Sequence, residues 1–209
     1  VLVLGAGRMS KGILYDLLNN NQIDTIYLID QYPEALENLT TFFNDARIKS
    51  TVTEADNFSA LEPMFLEADG ALSAVPYDYN LELTKLAINS KTHFVDLGGN
   101  YKVVKQQFKL HNDAKIQNVG IIPDCGLAPG MTSVIAAHLV NDLARTDTLK
   151  IRVGGLPLEP RTPLNYMLVF SVHGLTNEYL EDAMILDDGQ IKIVPPMTEA
   201  EELEFPKPF

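Results

Sequence analysis

The chain has 209 residues, a net charge of −12 at pH 7 and an isoelectric point near 4.6. This acidic balance argues against a nucleic-acid partner, whose phosphates need a basic face, and against an anionic membrane surface. Hydrophobic residues make up 46% of the chain, yet no apolar run approaches the ~20 residues that span a bilayer, so we predict a globular protein without a membrane partner.

Short apolar runs alternate with helical patterns over the first two thirds of the chain, which predicts βαβ units and a parallel sheet. The predicted strands are Val1–Gly5, Thr25–Asp30, Arg47–Val52, Gly70–Val75, His93–Asp96 and Gly120–Pro123. The predicted helices are Ser10–Asn20, Pro33–Asn44, Leu61–Phe65, Asn80–Asn89, Val103–Gln117 and Pro129–Leu143. Pro63 limits the third helix to as little as one turn. The fold class is therefore α/β, a Rossmann-type doubly wound sheet of order 3-2-1-4-5-6.

The pattern changes after about residue 145. Further strands are predicted at Leu149–Gly154 and Tyr166–Val172, followed by a short helix at Gly174–Tyr179. Ala183–Leu186 and Gln190–Val194 read as a hairpin closed at Asp188-Gly189. We predict a dinucleotide-binding domain over 1–123 and an α+β substrate and dimerisation domain over 124–209. The chain starts inside a strand and stops in an acidic stretch, so we expect the natural protein to extend beyond both ends and the second domain to be truncated.

The first strand leads into a glycine-rich turn, Gly5-Ala6-Gly7-Arg8-Met9-Ser10. In a dinucleotide fold the first glycine makes the turn, the second lets the backbone approach the pyrophosphate, and the third position packs helix against strand. Ser10 takes that third position, where it could also cap the helix, and Gly12 could share the packing. Asp30 ends the second strand 25 residues after Gly5, where a carboxylate binds ribose hydroxyls and repels a 2′-phosphate. We therefore predict NAD as the cofactor, held by Gly5, Gly7, Arg8, Met9 and Asp30.

The carboxyl ends of the later strands carry the remaining candidates. Val75 and Pro76 end the fourth strand across the crevice and would pack along the nicotinamide ribose, unless Pro76 only terminates the strand. Loops rich in glycine follow the fifth and sixth strands at 95–100 and 122–130, and Gly98 is assigned to the cofactor. The N-terminus of the helix beginning at Pro129 could hold a carboxylate.

These motifs together define a family resemblance. GAGRM at 5–9, SAVPY at 73–77, VDLGGN at 95–100 and PDCGLAPGM at 123–131 resemble the saccharopine dehydrogenase family of oxidoreductases, and within it the lysine 6-dehydrogenases. The likeness continues through 153–157, 163–179 and 202–206, whereas Ser10 departs from the glycine usual in relatives. The resemblance implies NAD-dependent oxidative deamination of L-lysine at its ε-carbon, in which the imine is hydrolysed to a semialdehyde.

That reaction needs an acceptor for the amine proton, an activated water and partners for the α-groups of the substrate. Candidates for the chemistry are Asp96, Asp124, Cys125 and His173. Each candidate also has a purely structural interpretation. The two carboxylates would cap turns, the lone cysteine would be a small buried hydrophobic residue, and the histidine would have its hydrogen bonds satisfied at a strand end. Candidates for substrate binding are Tyr77, Gly99, Arg161 and Asn165.

Two alternatives remain open. A reductase of the same family would join an amine to an aldehyde, as in saccharopine or carboxynorspermidine formation, but Arg152, Arg161 and a few lysines offer little for its extra carboxylates. A dinucleotide-binding protein without turnover is equally compatible with the fold.

A single cysteine allows no intrachain disulfide and indicates a reducing, cytoplasmic setting. No spacing of histidines and carboxylates along the chain predicts a metal site. We expect a homodimer with a small amino-acid substrate.

Overall fold

The computed structural model describes residues 1–155, 157–163, 165–167 and 172–204, with all of their side chains except that of His173. The chain divides into two compact units, Val1–Ile151 and Arg152–Phe209. The loop after the sixth strand and the helix that follows it belong to the first unit.

A parallel sheet forms the centre of the first unit. Its strands are β1 (Leu2–Leu4), β2 (Ile26–Asp30), β3 (Ile48–Val52), β4 (Gly70–Ser73), β5 (His93–Asp96) and β6 (Ile121–Ile122). The order β3-β2-β1-β4-β5-β6 confirms the predicted topology. In the middle of the sheet, Leu2 is aligned with Tyr27 on one side and Ala71 on the other. The strand order reverses between β1 and β4, so ligands are expected at the carboxyl ends of these strands.

Helices cover both faces of the sheet. They are α1 (Arg8–Asn19), α2 (Pro33–Phe43), α3 (Phe58–Glu67), α4 (Asn80–Ser90), α5 (Tyr101–Lys109), α6 (His111–Gln117) and α7 (Met131–Asp142), with a 3₁₀ turn at Tyr77–Tyr79. Side chains of β1 alternate between two cores: Leu2 and Leu4 pack with Phe65, and Val3 packs with Leu14. The first core combines aliphatic side chains with Phe65 and Phe94, and the buried residues of the second are all aliphatic. Together they fix the strand ends that carry the site.

Two predicted helices differ from those observed. The third, expected to be about one turn, extends over Phe58–Glu67 with Pro63 inside it. Its first turn is capped by the side chain of Asn57, which accepts from the Ala60 N–H, and the burial of Leu61 and Phe65 outweighs the missing backbone donor of proline. The predicted helix over Val103–Gln117 is two helices, because the backbone of Leu110 leaves helical geometry.

One predicted strand is wrong. Leu149–Gly154 has the apolar alternation of a strand but forms none in the described part of the chain. Alternation of apolar and polar residues determines which face of a strand is apolar. A strand also needs a neighbouring strand to donate and accept its backbone hydrogen bonds, and the alternation does not specify that neighbour.

The second unit contains a helix and a hairpin in its described part. α8 (Val172–Leu180) confirms the predicted short helix, and β7 (Ala183–Asp187) pairs antiparallel with β8 (Gln190–Val194) across Asp188-Gly189, as predicted. Of the strand predicted at Tyr166–Val172, residues 168–171 lie outside the described residues, and Val172 begins α8.

Candidate active site

The turn after β1 has the geometry of a phosphate-binding loop. Gly5 has φ +97°, and a Cβ there would lie 2.9 Å from the carbonyl oxygen of Ala74, so this close crossing of β1 and β4 requires glycine. Open space surrounds the position that a Cβ on Gly7 would occupy, and Gly7 caps α1 without a side-chain hydrogen bond. The N-terminus of α1 is thus open to an approaching anion, which fits the pyrophosphate of a dinucleotide.

The two residues that were expected to pack α1 behave differently. Ser10 is fully buried, and its hydroxyl donates to the Gly5 carbonyl at 2.6 Å, so it closes the turn as the third motif position should. It is not the N-cap, because α1 already begins at Arg8. The packing role predicted for Gly12 is wrong, since Gly12 is exposed and a Cβ there would meet nothing within 4 Å.

Asp30 binds the same turn from β2. One carboxylate oxygen accepts from the Ala6 N–H at 2.7 Å, and the other accepts from the Tyr32 N–H at 2.9 Å. Each oxygen has a second lone pair, so the carboxylate keeps the capacity to accept from a ribose hydroxyl. Arg8 and Met9, at the start of α1, are exposed beside this turn.

The segment after β4 lines the other side of the crevice. A methyl group of Val75 would lie 3.3 Å from a Cβ on Gly5, which places Val75 directly against the glycine turn. Pro76 is exposed, and Tyr77 is buried with its ring 3.1 Å from the position of a Cβ on Gly99. These contacts bring the loops that follow β1, β4 and β5 together at one edge of the sheet.

Asp96 ends β5 and organises the loops beyond it. Its side chain is fully buried; one oxygen accepts from the Gly98 N–H at 2.7 Å and the Asp124 N–H at 3.4 Å, and the other accepts from Gln107 Nε2 at 2.7 Å. Burial raises the pKa of Asp96, and these three donors oppose the rise. A shielded carboxylate surrounded by donors favours the turn-organising role over direct contact with a substrate.

Asp124 is the more accessible carboxylate of the pair. It has φ +59°, and its Oδ1 lies only 1.8 Å from where a Cβ on Gly98 would be, so the side chain fits because residue 98 is glycine. Burial raises the pKa of Asp124, the charge of Asp96 raises it further, and a hydrogen bond from the Gly99 N–H opposes both effects. A raised pKa makes the half-buried carboxylate of Asp124 a stronger proton acceptor than an ordinary aspartate.

Cys125 follows on the same loop. Its N–H donates to the Asp96 carbonyl at 2.7 Å, and its exposed thiol lies 3.4 Å from the Ile122 carbonyl oxygen. Partial desolvation of the thiol, followed by the charges of Asp96 and Asp124, raises the pKa of Cys125. The thiol is therefore protonated at neutral pH and better suited to contact than to proton transfer.

The remaining candidates belong to the second unit. Arg161 and Asn165 are exposed, and the Asn165 N–H donates to the Arg161 carbonyl at 2.9 Å, which forms a local turn. His173 lies in α8 rather than at the end of a strand, and its side chain is outside the described part of the chain. The candidates that the structure brings together are therefore those of the first unit.

Sequence reasoning missed the polar residues behind Asp96. Gln107, Thr84, Asn80 and Ser73 are each at most 3% exposed and form a continuous set of hydrogen bonds that ends at Asp96. The available signal was a glutamine one helical turn after Val104, on the apolar face of α5.

Other candidate sites can be set aside. A cavity of about 530 Å³ borders α5, α6 and the amino ends of β5 and β6, including His93, His111 and Lys115. Its lining also includes Gln107 and Pro123, but no residue of the glycine turn, nor Asp96 or Asp124, so it is separate from the crevice where such sheets bind dinucleotides. Among the described residues, no cluster of histidine, cysteine or carboxylate side chains is suited to a metal ion, and no helix is long and apolar enough to cross a bilayer.

The topology and the glycine turn define a nicotinamide-dinucleotide-binding domain of the Rossmann type. The sequence model of the Saccharopine dehydrogenase NADP binding domain matches residues 1–122, and that of the Saccharopine dehydrogenase C-terminal domain matches residues 126–209. The chain therefore belongs to the saccharopine dehydrogenase family, which confirms the family resemblance seen in its motifs.

Two curated relatives support membership of this family. The chain is 22% identical over 200 residues to saccharopine dehydrogenase [NADP(+), L-glutamate-forming] of Saccharomyces cerevisiae, covering 93% of this chain and 43% of the relative. It is 23% identical to the protein of the same name from Pyricularia oryzae, covering 91% and 42%. The chain thus spans less than half the length of these relatives.

A solved structure supports the fold. Apo saccharopine dehydrogenase (L-Glu forming) from Saccharomyces cerevisiae matches with a TM-score of 0.73 and 20% identity, covering 99% of this chain and 47% of that one. At this identity the likeness establishes the architecture, an α/β dinucleotide-binding fold followed by a smaller second domain with an antiparallel sheet.

Proposed function

We propose that the chain is part of a nicotinamide-dinucleotide-dependent oxidoreductase that acts on a C–N bond of an amino acid. One observation carries the proposal: the open N-terminus of α1 and the accessible carboxyl group of Asp124 lie on loops that meet at the same edge of the sheet. A dinucleotide bound there supplies the hydride chemistry, while the protein supplies binding and orientation.

Residues of this chain bind the dinucleotide, hold the substrate and accept its proton. Gly5 and Gly7 admit the pyrophosphate, and Asp30 binds the ribose hydroxyls. Asp124 holds the reacting amine and accepts its proton, because an amine must be neutral before it can lose a hydride. Asp96 fixes the loop that carries Asp124, and Cys125 and Tyr77 border the substrate.

We propose NAD as the preferred cofactor. The carboxylate of Asp30 would repel a 2′-phosphate, and Gln31 and Tyr32, which follow it, carry no positive charge. The relatives named above are NADP(+) enzymes by name, so NADP is the competing possibility.

Two substrates compete within this reaction class. The names of the relatives support saccharopine, a larger amine with additional carboxylates. The motif resemblance supports L-lysine. We favour lysine, deaminated at its ε-carbon, and treat saccharopine as the alternative.

The test measures NADH and NADPH formation by the full-length protein at alkaline pH with L-lysine, saccharopine and a panel of other amino acids. Turnover of lysine with NAD is the expected result. Turnover of saccharopine with NADP would replace both specific assignments and keep the reaction class. Tight dinucleotide binding without turnover of any substrate, in either direction, would overturn the proposed reaction.

A further inference from the structure

A series of buried polar side chains connects β4 to β5 beneath the candidate active site. Ser73 Oγ donates to Asn80 Oδ1 at 2.7 Å, and Thr84 Oγ1 donates to the Asn80 carbonyl at 2.7 Å. Gln107 Nε2 then donates to Thr84 Oγ1 at 2.9 Å and to Asp96 Oδ2 at 2.7 Å. None of these residues is more than 3% exposed, so the series is shielded from competing water.

The hydrogen bonds determine the orientation of the Gln107 amide. The hydroxyl of Thr84 has one hydrogen, which it donates to Asn80, so it can only accept from Gln107. Both hydrogens of Nε2 are therefore used, one toward Thr84 and one toward Asp96. The opposite orientation would place the amide oxygen against a carboxylate, which is repulsive.

Packing alone does not account for an amide at residue 107. Its Oε1 is buried without a hydrogen-bond partner in the described part of the chain. A leucine of similar volume would leave no such acceptor unpaired. The donor end of the side chain is therefore what distinguishes glutamine from an apolar residue here, and that end contacts Asp96.

Asp96 in turn connects the two loops of the site. The oxygen that does not bind Gln107 accepts from Gly98 on one loop and Asp124 on the other. We propose that Gln107 is a positioning residue of the active site: by holding Asp96 in one orientation it fixes the loops at 95–100 and 122–130, and with them the carboxyl group of Asp124. The effect on turnover rests on the proposed function, whereas the effect on loop geometry does not.

The test compares Gln107→Leu and Gln107→Glu with the same substitutions at Gln106, the exposed neighbour on α5. The first readout is the rate at which iodoacetamide alkylates Cys125, relative to wild type between pH 6 and 9. Cys125 directly follows Asp124, whose N–H donates to the Asp96 carboxylate, and its own N–H donates to the main-chain carbonyl of Asp96. The second readout is kcat and KM with the active substrate and the dissociation constant for NADH or NADPH. Circular dichroism reports folding.

Gln107→Leu is expected to speed alkylation of Cys125 severalfold and to lower kcat by about tenfold, the lower end of the loss found when a residue that orients a metal ligand is removed. Dinucleotide affinity should change less than kcat, because the pyrophosphate and ribose contacts are proposed at the glycine turn and Asp30, and Gly98 is the one cofactor candidate on the loosened loops. In Gln107→Glu a protonated carboxyl group can still donate to Asp96, whereas an ionised one repels it. The ratio of the alkylation rate in this variant to that in the wild type should therefore increase with pH. This comparison within one folded variant remains informative if Gln107→Leu fails to fold.

Wild-type alkylation rates in both Gln107 variants, or equal changes in the Gln106 pair, would overturn the proposal. Faster alkylation in the Gln107 variants, but not in the Gln106 variants, supports the positioning role of Gln107. If this result is found and neither the wild type nor any variant turns over a substrate, only the proposed reaction is overturned. Asp124 and Cys125 are the other titratable groups of these loops, and a new carboxylate beside Asp96 would raise the pKa of Cys125 further. Each alkylation rate is therefore divided by the thiolate fraction of the same variant, measured by ultraviolet absorbance over the same pH range.

Discussion

At the scale of single residues, the candidate site depends on contacts that only one side chain permits. Asp124 occupies the space beside Gly98 that a Cβ would fill. Asp96 is fully buried, and the amide donors of Gly98, Gln107 and Asp124 compensate its carboxylate for the lost hydration. Asp30 is at once a ligand of the glycine turn and the candidate determinant of cofactor preference.

We expect Gly98→Ala to destabilise the protein by about 1–3 kcal/mol. Alanine is disfavoured at φ +70°, and its Cβ would overlap Asp124 Oδ1, which must move. Urea denaturation measures the loss. Gly154→Ala, where a Cβ meets nothing within 4 Å, serves as the control and should change stability by less than about 0.5 kcal/mol. Equal effects of the two substitutions would contradict the assigned contact.

Asp96→Asn should reduce turnover far more than dinucleotide affinity, because an asparagine amide cannot accept at both of its ends. The pH dependence of stability has a definite sign. Burial raises the pKa of Asp96, so the folded state binds this proton more tightly than the unfolded chain, and the carboxylate costs stability as pH rises above the unfolded-state pKa.

The variant lacks this cost, so its unfolding free energy relative to wild type should improve between about pH 4 and pH 7, the window above the ordinary carboxyl pKa. Denaturation at both pH values measures the change, and Asp113→Asn on the exposed side of α6 is the control. Unchanged turnover in Asp96→Asn would leave Asp96 a turn residue only.

Cofactor preference can be tested at Asp30. Asp30→Ser combined with Gln31→Arg should shift the ratio of NADPH to NADH affinity toward NADPH, because a repelling carboxylate is replaced by a cation that can bind the 2′-phosphate. Fluorescence titration with both reduced dinucleotides measures the ratio, with the exposed Asp24→Ser as control. A wild-type protein that already prefers NADPH would show that the assignment of NAD is wrong.

At the scale of elements, α1 shows how a motif position and its neighbour can differ. Ser10 is buried against the turn, whereas Gly12 is two residues further along and faces outward. Glycine in an exposed helix interior is less favourable than alanine because it loses more backbone entropy on folding.

Gly12→Ala should therefore raise the unfolding free energy by about 0.5–1 kcal/mol while leaving dinucleotide affinity unchanged. Thermal denaturation with and without NADH measures both effects. A destabilised variant would mean that Gly12 packs closely after all.

At the scale of the whole molecule, two borders can be drawn through the chain. The sequence places one after residue 123, and the compact units meet after Ile151. They differ in where the loop with Asp124 and Cys125 belongs, and the hydrogen bonds of that loop are to Asp96 in the first unit.

A fragment of residues 1–151 should melt several degrees above a fragment of residues 1–123, since the shorter one leaves acceptors of the buried Asp96 without their amide partners. Differential scanning calorimetry of the two fragments tests this. Equal melting temperatures would favour the earlier border.

The sequence by itself determined the alternation of strands and helices, the glycine turn and the acidic end of β2, because each depends on local periodicity or on short spacings along the chain. The order of the sheet followed from the doubly wound fold that this alternation matches, and the family from the resemblance of its motifs. It also located the loops at 95–100 and 122–130. The tertiary structure decided what those loops do: that Asp96 is buried and Asp124 accessible, that Gly12 is exposed, that Leu149–Gly154 forms no strand, and that Gln107 contacts Asp96 from another element. Burial and hydrogen-bond partners depend on residues that are far apart in the chain, and the periodicity of a segment does not determine which distant residues it will contact.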